Sequence, residues 1–184
     1  MKRAAPGFLT WFLVAVSALL SAGCQAPVQM SNMIVPADAP MPGAAQEELA
    51  VEVGSVGGGE ASGFLSQIRI SDLDLREAII NSLAVRGALA RSQPKYRVDA
   101  EVIRGTTGVQ EILLGLNVTV TIEMRWLVTA RPGGDTVLSE TLTSEGTATS
   151  AEFFNPTERM RVATERAIQE NIRMLIATLY DLQG

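Results

Sequence analysis

The alternation of apolar and polar residues over positions 116–129 is the feature that most constrains the fold. Every second position is apolar, in the order Leu116, Val118, Val120, Ile122, Met124, Trp126 and Val128. The positions between them are mostly polar or charged. Because successive side chains of a strand point to opposite faces of a sheet, this period of two predicts a long strand with one buried face and one solvated face.

Three further segments have the character of strands. Residues 49–53 and 96–102 alternate in the same way, and a Thr-rich stretch over 136–149 follows a turn that contains one Pro and two Gly. Because such a turn reverses the chain, we expect 136–149 to return antiparallel to 116–129. The sequence does not decide which residues of this last strand face the core, because its two leucines share a face with a glutamate.

Two amphipathic helices complete the pattern. The first is predicted from Asp72 to about Ala90, with Ser71 as its N-cap and apolar residues at a spacing of four. The second is predicted to begin at Pro156, after the cap Asn155. Its apolar stripe is Met160, Thr164, Ile168, Ile172, Leu175, Leu179 and Leu182, and its opposite face is Arg159, Arg166, Glu170 and Arg173.

The order of these elements predicts the fold class. It is β-α-β-β-β-α, with two one-sided helices and alternating middle strands. Such elements bury their apolar faces most economically against each other. We therefore expect a single α+β domain over residues 47–184, a two-layer sandwich in which a mainly antiparallel four-stranded sheet carries two helices on one face.

The first 46 residues have a different composition. Lys2 and Arg3 precede an apolar run from Phe8 to Leu20, and small residues then lead to Cys24, the only cysteine. This arrangement is typical of a secretory signal, and the apolar run is shorter than the ~20 residues that a membrane-spanning helix needs. An ordinary cleaved signal explains this part of the pattern without any role for the cysteine.

The residues directly before Cys24 add a second indication. The run Leu20-Ser21-Ala22-Gly23-Cys24 resembles the lipobox of bacterial lipoproteins, which implies a signal peptide over 1–23 and a diacylated Cys24. In that family, Gln25 in place of Asp implies the outer membrane. The following residues up to 46 are rich in Ala, Pro and Met, so 24–46 is expected to be the lipidated Cys and a flexible Pro-rich tether.

Composition excludes several classes of activity. The sequence has no histidine, and Lys95 is the only lysine outside the predicted signal. Histidine-based nucleophile systems and His-ligated zinc sites are therefore impossible. We expect a protein without enzymatic activity, catalytic residues or metal, and with no cofactor beyond the covalent lipid on Cys24. Without Lys2 and Arg3, 13 basic residues stand against 20 acidic residues, a net charge of −7, so no nucleic-acid partner is expected.

A family resemblance points to a binding role. It is carried by Arg76-Glu77-Ala78 through Ser82-Leu83-Ala84-Val85-Arg86-Gly87, by Tyr96-Arg97-Val98-Asp99-Ala100-Glu101-Val102, by the strand from Val118 to Trp126, and by the stretch from Arg161 through Ala167 to Leu179. In these residues the domain resembles the small outer-membrane lipoproteins of the YajG type. It is similar in outline to the auxiliary lipoproteins of envelope ABC transporters and of lipopolysaccharide assembly. The resemblance implies a non-enzymatic, partner-binding or lipid-handling role and supplies no site residue.

The leading hypothesis is an outer-membrane lipoprotein that faces the periplasm. It would act as an accessory component of a cell-envelope transport or assembly system, with the membrane and an envelope protein as its partners. The candidate binding residues are two apolar motifs, Ile112, Leu113 and Leu114 before the third strand, and Phe153 and Phe154 before the last helix. An exposed apolar motif would meet a partner or lipid, whereas a buried one would be part of the core.

Two alternatives come from other functional classes. Asp99, Glu101, Glu123 and Arg125 are expected on the solvated sheet face, where two carboxylates could act as general acid and base in an envelope hydrolase. A solvated face of cross-strand pairs explains the same residues. The Thr-rich last strand could instead join copies of the chain into a homo-oligomer.

Overall fold

The computed structural model of the chain describes residues 27–40, 49–59, 70–107 and 117–182. In chain order the elements are α1 Met30–Met33, β1 Val51–Gly57, α2 Asp72–Ala84, β2 Tyr96–Thr107, β3 Asn117–Ala130, β4 Thr136–Thr149 and α3 Pro156–Asp181. Cys24, Ile112, Leu113 and Leu114 lie outside the described residues. None of the helices in the described ranges combines the length and the apolar character that crossing a membrane requires.

The predicted α+β class and the order β-α-β-β-β-α are confirmed, with one short helix added before the first strand. The strands form one sheet in the order β1-β2-β3-β4. β1 runs parallel to β2, whereas β2, β3 and β4 are antiparallel neighbours. The sheet is therefore mixed and mostly antiparallel, because the crossover through α2 brings the chain back to start β2 at the same end as β1.

The inner face of β3 is buried as the alternation predicts. Trp126 is enclosed completely, and its indole Nε1 donates to Asn171 Oδ1 on α3 at 2.8 Å. The amide of Asn171 donates in turn to Leu142 O and to Ser144 Oγ, both at 2.9 Å. The polar groups of this buried network are therefore paired, as buried polar groups need to be.

The close approach of α3 determines which residues of β4 face the core. Ser144, Gly146 and Ala148 point inward, whereas the two leucines of the same set are half-buried. A Cβ atom at Gly146 would lie 2.1 Å from Ala163 O on α3. Only glycine lets a helix backbone come this close to a strand, so small residues replace the large apolar ones expected of a buried strand.

Both long helices pack on the inner face of the sheet, as predicted. α2 lies beside β1, and α3 lies across β3 and β4. The side chain of Asn155 accepts from Thr157 N, which confirms the predicted cap. The predicted apolar stripe of α3 is buried except at Leu182, where the helix ends. The placement of Arg159 on the polar face is wrong, because its guanidinium is drawn inward to hold the turn before the helix.

α2 ends earlier than the sequence predicts. It spans Asp72–Ala84, whereas the prediction continued to about Ala90. Gly87 has a φ of 69°, in the left-handed region that favours glycine. The N–H groups of Gly87 and Ala88 donate back to carbonyls of the last helical turn, the two bonds of a Schellman motif. Gly87 therefore ends the helix.

Residues 27–40 pack onto the domain, so the predicted flexible tether is wrong for this part of 24–46. Val28, Met33 and Val35 are buried, and α1 lies between α2 and α3. Burying each such side chain contributes about 1.5–3 kcal/mol. Their burial, together with hydrogen bonds to both helices, orders a short segment whose sequence shows no helical or strand period.

Hydrogen bonds fix this segment along both helices. Val35 N donates to Ser82 Oγ at 3.0 Å, Gln29 N donates to Glu165 Oε1 at 2.7 Å, and Gln169 Nε2 donates to Ile34 O at 2.7 Å. Glu165 also accepts from Arg161 at 2.7 Å, so the buried carboxylate is paired. The chain before β1 is therefore part of the helix layer.

Candidate functional site

The turn between β4 and α3 presents the predicted aromatic pair in two different ways. This turn, residues 149–155, is called the Phe154 turn below. Phe153 is half-buried against the core, whereas Phe154 is 97% exposed. No other large apolar side chain of the described residues is as exposed. Phe153 therefore serves packing, and Phe154 remains the candidate for binding.

A buried arginine and an ion pair hold the Phe154 turn in place. Arg159 is only 3% exposed and donates from Nη1 to the carbonyl oxygens of both phenylalanines, at 2.9 and 3.0 Å. Glu152 accepts from Arg166 Nη2 at 2.8 Å and from Thr149 N at 2.9 Å. The hydrogen bonds from Arg166 and Thr149 lower the pKa of Glu152 to about 2, so this ion pair persists at neutral pH. The ring of Phe154 is thus held in solvent by a turn that Arg159 and the Glu152–Arg166 ion pair fix to α3.

The face of the sheet that points away from the helices, called the outer sheet face below, is covered by polar pairs within and between strands. Its ion pairs are Arg97–Asp99, Arg125–Glu101 and Arg104–Glu123. The hydroxyls of Thr119 and Thr147 pair at 3.0 Å. Among the described residues no helix packs on this face, and its side chains are exposed or half-buried.

A groove of about 480 Å³ opens on the outer sheet face where the pairing of β1 with β2 is irregular. Its lining includes Ser55, Gly57, Asp99, Glu101, Arg125 and Leu127. Asp99 accepts from Arg97 Nη2 at 3.0 Å and from Ser55 N at 2.6 Å. Burial raises the pKa of Asp99, but the hydrogen bonds from Arg97 and Ser55 outweigh burial and lower it to about 2.

A second groove, of about 650 Å³, lies at the end of the sheet where β2 begins. It is lined by Glu52, Gln93, Pro94, Lys95, Arg131 and Pro132. Its carboxylate, Glu52, accepts from Arg131 Nη2 at 2.7 Å. The groove is formed where the β3–β4 turn meets the start of β2, since Arg131 N donates to Lys95 O at 2.8 Å. Its polar groups thus hold the β3–β4 turn against the starts of β1 and β2.

The carboxylates that the hydrolase hypothesis requires are engaged as ion pairs. A general acid needs a carboxyl group whose pKa is raised, usually in a cleft. The pKa of Asp99 is lowered instead. Glu101 and Glu123 each pair with an arginine, and the side chain of Glu101 is 55% exposed. Over the described ranges, no three or more His, Cys, Asp or Glu side chains are grouped so as to hold a metal ion.

The other predicted site residues lie outside the described residues, and their roles stay predictions. They are Cys24, Ile112, Leu113 and Leu114. Residues 112–114 lie in the chain between Thr107, the end of β2, and Asn117, the start of β3. Asn117, the first residue of β3, pairs with Thr149, the first residue of the Phe154 turn. The chain therefore enters β3 at the same sheet end as that turn.

Leu73 is an exposed apolar residue that the sequence interpretation missed. It lies in the first turn of α2 and is 66% exposed. Leu73 precedes Leu75 of the buried stripe by two positions, which places it about 200° around the helix. An apolar residue off the stripe at a helix start is the signal that would have identified it.

The protein is similar to known proteins in its fold. No family model matches the sequence, and no curated protein matches it. The fold is similar to that of protein XCC0632 from Xanthomonas campestris, of family DUF330, with a TM-score of 0.58 and 16% identity over 78% of this chain and 91% of that chain. It is similar to the hypothetical protein CT253 from Chlamydia trachomatis, with a TM-score of 0.51 and 12% identity over 74% of this chain and 98% of that chain.

A weaker likeness involves a minor lipoprotein from Acinetobacter baumannii. Its TM-score is 0.42 at 14% identity, over 78% of this chain and 96% of that chain. This likeness is too distant to carry an argument. The two stronger likenesses show that the α+β fold is shared with proteins of bacteria, and at such identities they show the fold alone.

Proposed function

We propose that the protein is a lipid-anchored, non-enzymatic component of the bacterial cell envelope that faces the periplasm from the outer membrane. It binds a protein partner as an accessory subunit of a transport or assembly system. The lipobox-like run that ends at Cys24 supports the anchor, and Gln25 supports the outer membrane. The resemblance to YajG-type and transport-auxiliary lipoproteins supports the accessory role.

The observation that carries the proposal is the character of the outer sheet face. The Arg125–Glu101 pair and the side chain of Arg104 are more than half exposed, and exposed pairs contribute only about 0–1 kcal/mol to stability. The charges can therefore pair with those of a partner at little cost to the fold. Their alternating signs favour one complementary surface over others. Leu127, 36% exposed among them, adds an apolar point of contact.

Mild crosslinking in native membranes, followed by mass spectrometry of the purified chain, tests the proposal. The decisive variant combines Glu101→Arg with Arg125→Glu, which keeps an ion pair between β2 and β3 but exchanges its two charges. We expect this double variant to lose the crosslinked protein partner while its melting temperature stays unchanged, because the fold does not depend on the direction of the pair.

The matched control exchanges a half-buried ion pair of the helix layer, with Glu170→Arg and Arg173→Glu. We expect this variant to retain the partner. Recovery of the same partner with both double variants would contradict the role of the outer sheet face. The anchor has its own test, since Cys24→Ala should remove the protein from the membrane fraction, and unchanged fractionation would count against lipidation.

Self-association through β4 is a second candidate. β4 lies at an edge of the sheet, and among the described strands its 14 residues pair only with β3. An open edge of this length can pair with the same edge of another copy. This candidate predicts a dimer or larger species by light scattering at high protein concentration, and a monomer there would remove it.

A further inference from the structure

The two most exposed large apolar side chains of the described residues are Phe154, at 97%, and Leu73, at 66%. Each stands at the beginning of a long helix: Phe154 directly precedes the cap of α3, and Leu73 lies in the first turn of α2. Single exposed apolar residues are common on protein surfaces, so exposure alone assigns no ligand. The shared position of these two residues supplies the argument.

Both helices begin at the same end of the molecule. β1 and β4 run in the same direction, because β1 is parallel to β2 and β4 is reached through two antiparallel steps. α2 begins beside the end of β1, since Gly59 N donates to Asp72 Oδ1 at 2.9 Å. α3 follows the end of β4 through the Phe154 turn. The two helix starts therefore share one end of the helix layer.

The segment 27–40 relates the positions of the two starts. Its adjacent residues Ile34 and Val35 bind Gln169 on α3 and Ser82 on α2. With a rise of 1.5 Å per residue, Ser82 is roughly 15 Å from the start of α2, and Gln169 is roughly 20 Å from the start of α3. Leu73 and Phe154 thus lie on the same side of this shared contact, roughly 14 Å and at least roughly 20 Å from it along their helices.

The N-terminal chain runs toward this same end. Ile34 is bound by Gln169, and Gln29 is bound by Glu165, which is one turn nearer the start of α3. From Glu165 to the start of α3 is roughly 13 Å along the helix. From Pro27, the first described residue, three Cα–Cα steps lead back to Cys24 and can span up to about 10 Å. The acyl chains on Cys24 add to this reach, so the lipid can meet the level of Phe154.

Several charges at this end are bound within the chain, and Asp74 in the first turn of α2 adds a further acidic group. Glu152 binds Arg166, Glu158 lies 3.6 Å from Arg161, and Asp72 accepts from a backbone N–H. The described residues there form no cluster of unpaired basic side chains that would select anionic headgroups. An aromatic ring and a leucine beside paired charges suit the interfacial region of a bilayer, where apolar side chains enter and charged ones stay in water.

We propose that the end of the helix layer that carries Phe154 and Leu73 contacts the lipid bilayer, with both side chains in its interfacial region. The inference rests on the proposed lipid anchor at Cys24, which would bring this end to the membrane. The docked segment 27–40 shortens the free part of the anchor, so the domain has one preferred orientation. The outer sheet face is then left accessible to a protein partner.

The test uses the lipidated chain, produced with its native N-terminal sequence and purified from membranes. It is reconstituted into vesicles of phosphatidylethanolamine and phosphatidylglycerol whose acyl chains are either unmodified or brominated. Bromine quenches indole fluorescence on contact. Phe154→Trp and Leu73→Trp report on the proposed contact, and both positions are exposed enough to accept an indole. Val137→Trp, 39% exposed at the start of β4 and so at the opposite end, is the matched control.

We expect brominated vesicles to remove most of the added emission of Phe154→Trp and Leu73→Trp, and none of that of Val137→Trp. Trp126 is fully buried and gives the same background in all three variants. A protein that floats with the vesicles while the first two indoles stay unquenched would overturn the membrane contact and leave the anchor standing. A protein that does not float at all would overturn the anchor and the contact together.

Discussion

Trp126 and Leu127 are neighbours on β3, yet they lie in opposite environments. Trp126 points toward the helices, is completely buried and donates to Asn171. Leu127 points to the outer sheet face, where it is 36% exposed beside a groove. The same contrast separates Met124, buried, from Arg125, exposed in an ion pair. An antiparallel sheet with one packed face thus concentrates its stability in every second residue.

The contrast shows where this molecule can change without unfolding. Substitutions on the inner face remove packed surface from a core in which neighbours cannot easily close the space. Substitutions on the outer sheet face alter exposed ion pairs whose loss costs about 1 kcal/mol or less. Recognition can therefore vary on one face while folding depends on the other.

The largest effect is expected for Trp126→Ala. Removal of the indole leaves a cavity and deprives Asn171 Oδ1 of its donor, so the free energy of unfolding should fall by about 3–5 kcal/mol. Urea denaturation of this variant and of Leu127→Ala compares the inner and outer faces of the sheet within one strand. The Leu127 variant should lose no more than about 1 kcal/mol, and equal losses in the two variants would break the contrast between the faces.

Met33→Ala extends the comparison to the segment 27–40. Met33 is fully buried between α2 and α3, so the variant should lose about 2–5 kcal/mol of unfolding free energy. Ser31→Ala, on the exposed side of the same helix, is the control and should change stability by less than about 0.5 kcal/mol. Similar chemical denaturation curves for Met33→Ala and the parent chain would show that the segment adds nothing to the core.

Gly146→Ala tests the close contact between β4 and α3. The new methyl group would lie 2.1 Å from Ala163 O, so strand and helix must separate, at a cost of about 1–3 kcal/mol. Thermal melting followed by circular dichroism should show a lower midpoint for this variant. Thr147→Ala, next to it on the outer sheet face, should melt close to the parent protein; the opposite ranking would contradict the described packing.

The smallest effect is expected for Asp99→Asn. The pKa of Asp99 in the folded protein, about 2, is below its ordinary value of 3.8. Its stabilising contribution is therefore present above about pH 4 and lost as the pH falls toward 2. We expect a loss of about 1 kcal/mol or less at pH 7, because the pair is partly solvated. Denaturation at pH 7 and pH 2.5 should show the difference from the parent shrink at low pH, whereas growth of that difference would reverse the assigned sign.

The sequence was most informative where a structural feature depends on residues that are close together in the chain. The alternation over β3 predicted its two faces, and Asn155 with Pro156 predicted the start of α3, because a cap and a fixed φ act within a few residues. The predicted limits of β4 agree with Thr136–Thr149 for a related reason, since turn-forming residues before it mark where the chain reverses.

The missed features depend on residues that are distant in sequence. The groove that receives Met33 exists only after α2 and α3 have packed, so no period in 27–40 could show it. Arg159 has a polar helical position, but the turn before α3 folds over it. The partner of Glu123 is Arg104 because a register shift in β2 follows Val102, and alternation alone cannot locate such a shift.

The packing of Met33 also sets where a usable fragment of this protein must begin. A truncation designed from the first strand, starting near residue 47, would delete three buried side chains and open an apolar channel between α2 and α3. Such a fragment would expose that channel to other chains and invite aggregation. A protease cut between residues 40 and 49 would have a different effect, because the N-terminal peptide could stay bound through its own contacts. The same peptide, added to the truncated domain, could bind in the channel and restore the core.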